Sequence, residues 1–246
     1  MDFIVIFGIG LVASFFGSFT SGGVSIIALA LLSFYGLPAL VALGIYRVGV
    51  VGFQSGGFIN YVKAKKIVWK RILPMIFIGM LAAYLGAKIV LSVDEELLSK
   101  VIGFAILLTI PLSFLKPKVG IEKITIGRFR EIGGYVGYFL TSIWGSSFVI
   151  GTGVFNMINQ TYVFGMTLLE VKGTAKIPAL LKNFVVLALF AQAGVIQWEL
   201  GLVFMVGMFI GSFLGTKYAI TLGDPLLRKI FLVTVFLLSI KLILGY

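Results

Sequence analysis

Apolar positions along the chain gather into long blocks, with no period-two alternation of the kind that marks strands. The blocks run 3–19, 24–35, 38–62, 72–91 and 97–115, then 132–146, 154–164, 165–193, 200–222 and 226–244. A helix crossing the hydrocarbon core needs about 20 residues, so 24–35 and 154–164 are too short to cross alone. Each follows another short block across a cluster of small polar residues, Thr20-Ser21-Gly22-Gly23 in one case and Gly151-Thr152-Gly153 in the other. Each pair therefore reads as one discontinuous unit, either a kinked span or a re-entrant hairpin. Broken backbone at membrane depth persists only where protein or a wet cavity satisfies its freed N–H and C=O groups.

The second set of blocks repeats the first at an offset of 129 residues. Gly36 to Gly44 overlays Gly165 to Gly173, and without a gap Arg47 meets Lys176, Gln54 meets Asn183 and Trp69 meets Trp198. Leu85-Gly86-Ala87-Lys88 then meets Leu214-Gly215-Thr216-Lys217. The predicted architecture is an all-α polytopic membrane protein made of two homologous repeats, residues 1–115 and 132–246. Each repeat has four hydrophobic segments, the first of them broken or re-entrant. Residues 116–131 form a basic cytoplasmic linker, in which Ile121, Ile124 and Phe129 interleave with Lys123, Arg128 and Arg130 to predict a short amphipathic interfacial helix. Such duplication is the common ground plan of secondary transporters.

Composition supports the membrane assignment. With 60% hydrophobic and only 12% charged residues there is too little polar surface for a soluble domain of 246 residues. A β-barrel would show short alternating segments instead. The net charge of +11 does not indicate a nucleic-acid partner, because the bases concentrate in the loops 63–71 and 116–130, the positive-inside signature of cytoplasmic loops in a cytoplasmic (inner) membrane. Cysteine and histidine are both absent, which excludes thiol chemistry and the commonest metal ligand, so no cofactor is expected. The first block lacks a basic n-region and a cleavage site, and reads as retained structure.

Charge also bears on orientation. The loop at 63–71 carries Lys63, Lys65, Lys66, Lys70 and Arg71, whereas its repeat partner, 192–200, has no base and one acid, Glu199. Opposite charge character at equivalent loops favours opposite sides of the membrane, hence an inverted repeat. Four full spans per half in a parallel repeat is the alternative.

Arg47 and Lys176 lie deep in their blocks, where a lipid-facing base costs at least ~2.5 kcal/mol. Gln54 follows Arg47 by seven residues on the same helical face, and Lys172, Lys176 and Asn183 share a face in the second half. Two helices thus present the same ladder, a base and then a carboxamide. Bases supply attraction in a low-dielectric cavity and carboxamides donate to oxyanion oxygens, so the pattern reads as a site for a small anion between the halves. Gly22, Gly23 and Gly151 at the breaks would add backbone donors. The alternative is that Arg47 and Lys176 pair with carbonyls to fix helix packing. Gly49, Gly52, Gly56 and Gly57 read as close helix-packing positions, and Pro178 predicts a kink where the first half has Gly49. Lys88 and Lys217 snorkel, and Lys182, pointing away from Asn183, has no assigned role. Glu170, the only acid well inside a block, carries a coupled proton or neutralises a lysine. Ser14, Ser18, Thr20, Ser21 and Ser25, with Ser142, Ser146, Ser147, Thr152 and Asn156, ring the breaks and point to a wet cavity there.

The duplicated hydropathy, the glycine-rich break early in each half and the opening Pro38 to Gly44, echoed at Gly173-Thr174, resemble the sulfite exporter TauE/SafE family over nearly the whole chain. A basic loop follows the first copy, as in that family. The chain departs from the family's glycine runs, which are reduced to Gly22-Gly23 and Gly151-Thr152-Gly153, and Ala28 and Met157 stand near positions where proline is common. The resemblance implies export or uptake of small sulfur-containing or organic anions such as sulfite and sulfonates. Together with the ladders, the expected function is a secondary transporter, an exporter, working by alternating access with the site between the two repeats. A passive anion channel and a non-transporting membrane scaffold are the alternatives. Nucleophile–base and metal constellations are missing, so no enzyme is expected.

Overall fold

The computed structural model describes residues 3–20, 22–92, 120–149 and 151–243. Among them the protein is all helical, with apolar helices suited to a polytopic membrane protein. The predicted block 97–115 and the linker's first residues, 116–119, lie outside the described residues.

The predicted broken units are present. Helix α1 (Phe3–Gly17) stops before Gly22, whose φ of +91° lies in the left-handed region that glycine tolerates. Helix α2 (Gly23–Phe34) then rises only about 18 Å, short of a ~30 Å hydrocarbon core. In the second half α5 (Arg128–Ser147) is followed by Gly151 at φ +78°, a seven-residue α6 (Thr152–Ile158) and a π-helical turn, Asn159–Val163. The two breaks touch: a Cβ on Gly22 would stand 3.3 Å from Gly153. Val149, at φ +64°, holds a β-branched side chain in a strained conformation beside the second break.

The longer helices keep the offset. Helix α3 (Ala39–Lys63) corresponds, 129 residues on, to α7 (Leu168–Thr174) followed by α8 (Lys176–Gln192). Helix α4 (Trp69–Ser92) corresponds to the first arm of α9 (Trp198–Ile243), which breaks at Gly223 just before Pro225. Among the described residues two helices are long and apolar enough to cross a membrane by themselves, Trp69–Ser92 and Trp198–Leu227, and the bent α7–α8 pair taken as one span makes a third. Their outward faces are apolar: α4 exposes Leu73, Phe77, Leu81 and Tyr84. Exposed aromatic and aliphatic side chains in such number are what a lipid solvent permits.

Helix directions follow from the contacts. Along α3, Gly44 approaches Val195, Arg47 bonds Asn183, Gly57 approaches Lys176, and Gly173 lies against Tyr61, so α3 and α7–α8 run antiparallel. Helix α9 lies between α1 and α3 and runs parallel to both. Contact at this distance needs small residues. A Cβ at Gly52 would collide with the Met205 carbonyl oxygen and one at Gly56 with that of Phe209. On the opposite face of α9, Gly207, Gly211 and Gly215 lie against the carbonyls of Phe7, Leu11 and Phe15. This small-residue stripe replaces the hydrophobic driving force that lipid cannot supply between helices. Asn60 crosses the same seam, donating to the Phe213 carbonyl (2.6 Å) and the Thr216 hydroxyl (2.9 Å).

Two expectations are corrected. Residues 121–127 form no helix. They run as an extended strap whose Ile124 N–H donates to the Gly165 carbonyl, while the Leu168 N–H donates to Gly120, so backbone pairing across the chain wins over amphipathic pattern. Helix begins only at Arg128. Arg71 is not a loop base: it is buried in the first turn of α4, 3.2 Å from the Glu131 carboxylate and stacked on the Phe164 ring.

Candidate functional site

Between the two halves lies a cavity of about 210 Å³. Helix α3 contributes Tyr46, Arg47, Phe53 and Gln54 to its wall, and α7–α8 contributes Lys172, Lys176, Lys182 and Asn183. The breaks close it with Ser18, Thr20, Gly22, Ser146, Thr152 and Gly153. The two sequence ladders thus converge on one space, with Lys172 and Gly22. Gly23 and Gly151 are not on the wall: Gly23 opens α2 against Thr20, and Gly151 supplies the left-handed turn into α6. Of the polar residues ringing the breaks, Ser18, Thr20, Ser25, Ser146, Thr152 and Asn156 line the cavity.

Each ladder base is held by backbone. Arg47 Nη2 donates to the carbonyls of Gly145 (3.2 Å) and Ser146 (2.6 Å), where α5 ends. Lys172 Nζ donates to the Ser18 carbonyl (2.9 Å), where α1 ends. Both helix ends point carbonyls and the negative end of a helix dipole into the cavity, and a base from the other end of the fold meets each. Lys176 Nζ donates to the Phe53 carbonyl (3.2 Å) and sits 3.8 Å from the centre of the Phe53 ring. Asn183 Nδ2 donates to the Arg47 carbonyl (2.8 Å), tying the two ladders directly.

The four bases on the wall form two like-charged pairs, Lys172 with Lys176 and Arg47 with Lys182, each close enough for mutual repulsion. Among the described residues no aspartate or glutamate lines the cavity. Asp224, behind it, acts on Lys172 from a distance while accepting the Leu169 N–H (2.6 Å). Four buried wall residues also carry polar atoms with no hydrogen-bond partner among the described residues: Arg47 Nε, Ser146 Oγ, Asn183 Oδ1 and both ends of the Gln160 amide.

Glu170 is elsewhere. It closes a capping box at the start of α7, accepting from the Thr167 N–H (3.1 Å), and pairs with Lys123 on the strap at 2.9 Å. Sequence reasoning missed Lys182 and Gln160. Helical phase turns Lys182 off the ladder face, yet it too lines the cavity. Gln160 sits in a block that reads as apolar, and its only sequence signal is the polar run Asn159-Gln160-Thr161.

An all-helical polytopic membrane protein with a buried basic cavity between two broken units has the architecture that membrane transporters share. The family model for the sulfite exporter TauE/SafE matches residues 6–242, and the chain belongs to that family. It is 28% identical over 241 residues to a probable membrane transporter protein of Haemophilus influenzae, covering 97% of this chain and 93% of the relative. It is 25% identical to the probable membrane transporter protein ORF9 of a Sinorhizobium species, over 94% and 88% of the two chains. The probable membrane transporter protein YfcA of Escherichia coli K12 is 24% identical, over 97% and 88%. No solved structure matches the chain.

Proposed function

We propose that the protein is a secondary transporter, in the exporting direction that the family's name carries, for small sulfur-containing or organic anions such as sulfite and sulfonates. The anion sits between the halves in a cytoplasmic membrane, with Arg47, Lys172 and Lys176 supplying charge. Gln54 and Asn183 supply hydrogen bonds, and the break at Gly22 backbone donors. The observation that carries this reading is the wall's charge balance. Two helix C-termini bring roughly half a negative charge each, about −1 against as many as four positive charges, and no carboxylate among the described residues makes up the difference. A bound anion does. The antiparallel course of α3 and α7–α8 supports an inverted repeat, whose two halves give the site access from either side in turn.

The backbone bonds favour a second reading, in which Arg47, Lys172 and Lys176 only brace the broken helix ends. Reconstituted vesicles separate the two. Arg47→Gln and Lys176→Gln should each abolish sulfite and sulfonate flux in protein that still inserts and stays monodisperse in detergent. Bracing alone predicts loss of thermal stability with flux kept by the protein that inserts. Flux that persists without a proton gradient would mark a channel in place of a coupled carrier.

A further inference from the structure

The wall of the cavity is chemically uneven. The bases and Asn183 surround an anion's charge, but one residue offers something different. Gln160 is fully buried, lines the cavity, and has neither its amide nitrogen nor its amide oxygen paired with any described residue. It lies in the π-helical turn Asn159–Val163, where an i→i+5 bond widens the helix and displaces side chains from their α-helical phase. Its neighbours in the turn are accounted for: Asn159 Nδ2 donates to the Gly134 carbonyl (2.9 Å) and Thr161 Oγ1 to that of Met157 (2.7 Å). The first half has only the apolar run Leu29-Ala30-Leu31-Leu32 at the corresponding place. The polar group is therefore not a by-product of duplication.

We propose that Gln160 is a specificity-determining residue that selects anions carrying, beside their charge, a group that both donates and accepts a hydrogen bond, such as a hydroxyl. This rests on the anion-site reading above and adds to it the substrate class. An acceptor-only oxyanion can use the amide N–H but leaves the amide oxygen without a donor, whereas a hydroxyl next to the charge satisfies both ends. Leaving a buried acceptor unpaired is costly, and a site built around a hydroxyl rejects the analogue that lacks it. In a cavity of about 210 Å³ one small ligand can reach the bases and the amide together.

The probes are 2-hydroxyethanesulfonate and ethanesulfonate, equal in charge and differing by one hydroxyl, titrated calorimetrically into purified full-length protein. The wild type should bind the hydroxylated ion about tenfold or more tightly than its analogue. Gln160→Met, close in length and unable to pair, should bring the two affinities within about twofold, chiefly by weakening binding of the hydroxylated ion. Equal wild-type affinities overturn the proposal without any variant, and so does discrimination that survives in Gln160→Met. If neither ion binds the wild type, the anion-site reading falls and this proposal with it. Equal binding of both ions overturns this proposal and leaves the anion-site reading standing.

Discussion

Helix α3 and the α7–α8 pair hold the same register, 129 residues apart, and are built differently. The first is one continuous helix of 25 residues, and the second bends by 41° at Ala175. Pro178 stands where α3 has Gly49, and Leu181 and Val185 stand where it has Gly52 and Gly56. Proline is tolerated in the first turn of α8 because its missing N–H would have no partner there, so the chain stops and restarts in front of it. Glycine on α3 serves the opposite purpose, bringing α9 to within backbone contact. The site shows the same contrast. The equivalent of Phe53, whose ring lies against Lys176, is Lys182, a further base on the cavity wall. The first helix forms the rigid wall, and its counterpart at the offset carries most of the charge.

Exchanging residues between the two copies tests that division. The largest effect is expected from Gly52→Leu, which gives α3 the residue of its copy. The new side chain meets the Met205 backbone, and the protein should lose its monodisperse peak in detergent, whereas Leu181→Ala should lower stability by only about 1 kcal/mol. If Gly52→Leu folds as well as the wild type, the rigid-wall account is wrong. A smaller effect is expected from Lys182→Phe, which makes the second ladder resemble the first. Sulfonate affinity measured by calorimetry should fall about tenfold, the order of one charge-assisted hydrogen bond. Folding should persist, since Lys182 makes no hydrogen bond with any of the described residues. The smallest belongs to Glu170→Gln. Its pair with Lys123 is largely solvent-exposed on the lysine side, so thermal stability should drop by less than about 1 kcal/mol. Proton-gradient dependence of vesicle flux should be unchanged. Loss of that dependence would return Glu170 to the role of proton carrier.

Much of the frame was readable before any coordinates. Apolar block lengths placed α3 and α4 to within a few residues, and the small polar clusters located both breaks, because length and satisfaction of backbone groups in lipid are local constraints. The ladders were readable for the same reason, since a base at membrane depth is costly enough to imply a partner. What escaped depends on geometry that no local pattern records. Lys182 lines the wall from outside the ladder's helical phase, and Gln160 from a π-helical turn. Arg71 looked like a loop base because Glu131, which draws it inward, lies sixty residues away. The strap at 121–127 has an amphipathic pattern, but its backbone partners at Gly165 and Leu168 are distant in sequence and more decisive.

The seating of α9 between α1 and α3 has a consequence for biosynthesis. Its first arm belongs to the second half of the chain, yet it fills a slot whose two sides are both made by the first. While the ribosome is still producing residues 128–192, α1 and α3 must stay in the bilayer with Gly10, Gly49, Gly52 and Gly56 facing a vacancy that only lipid or a chaperone can occupy. The first half cannot finish its own interior, and its assembly waits for nearly the last helix to emerge.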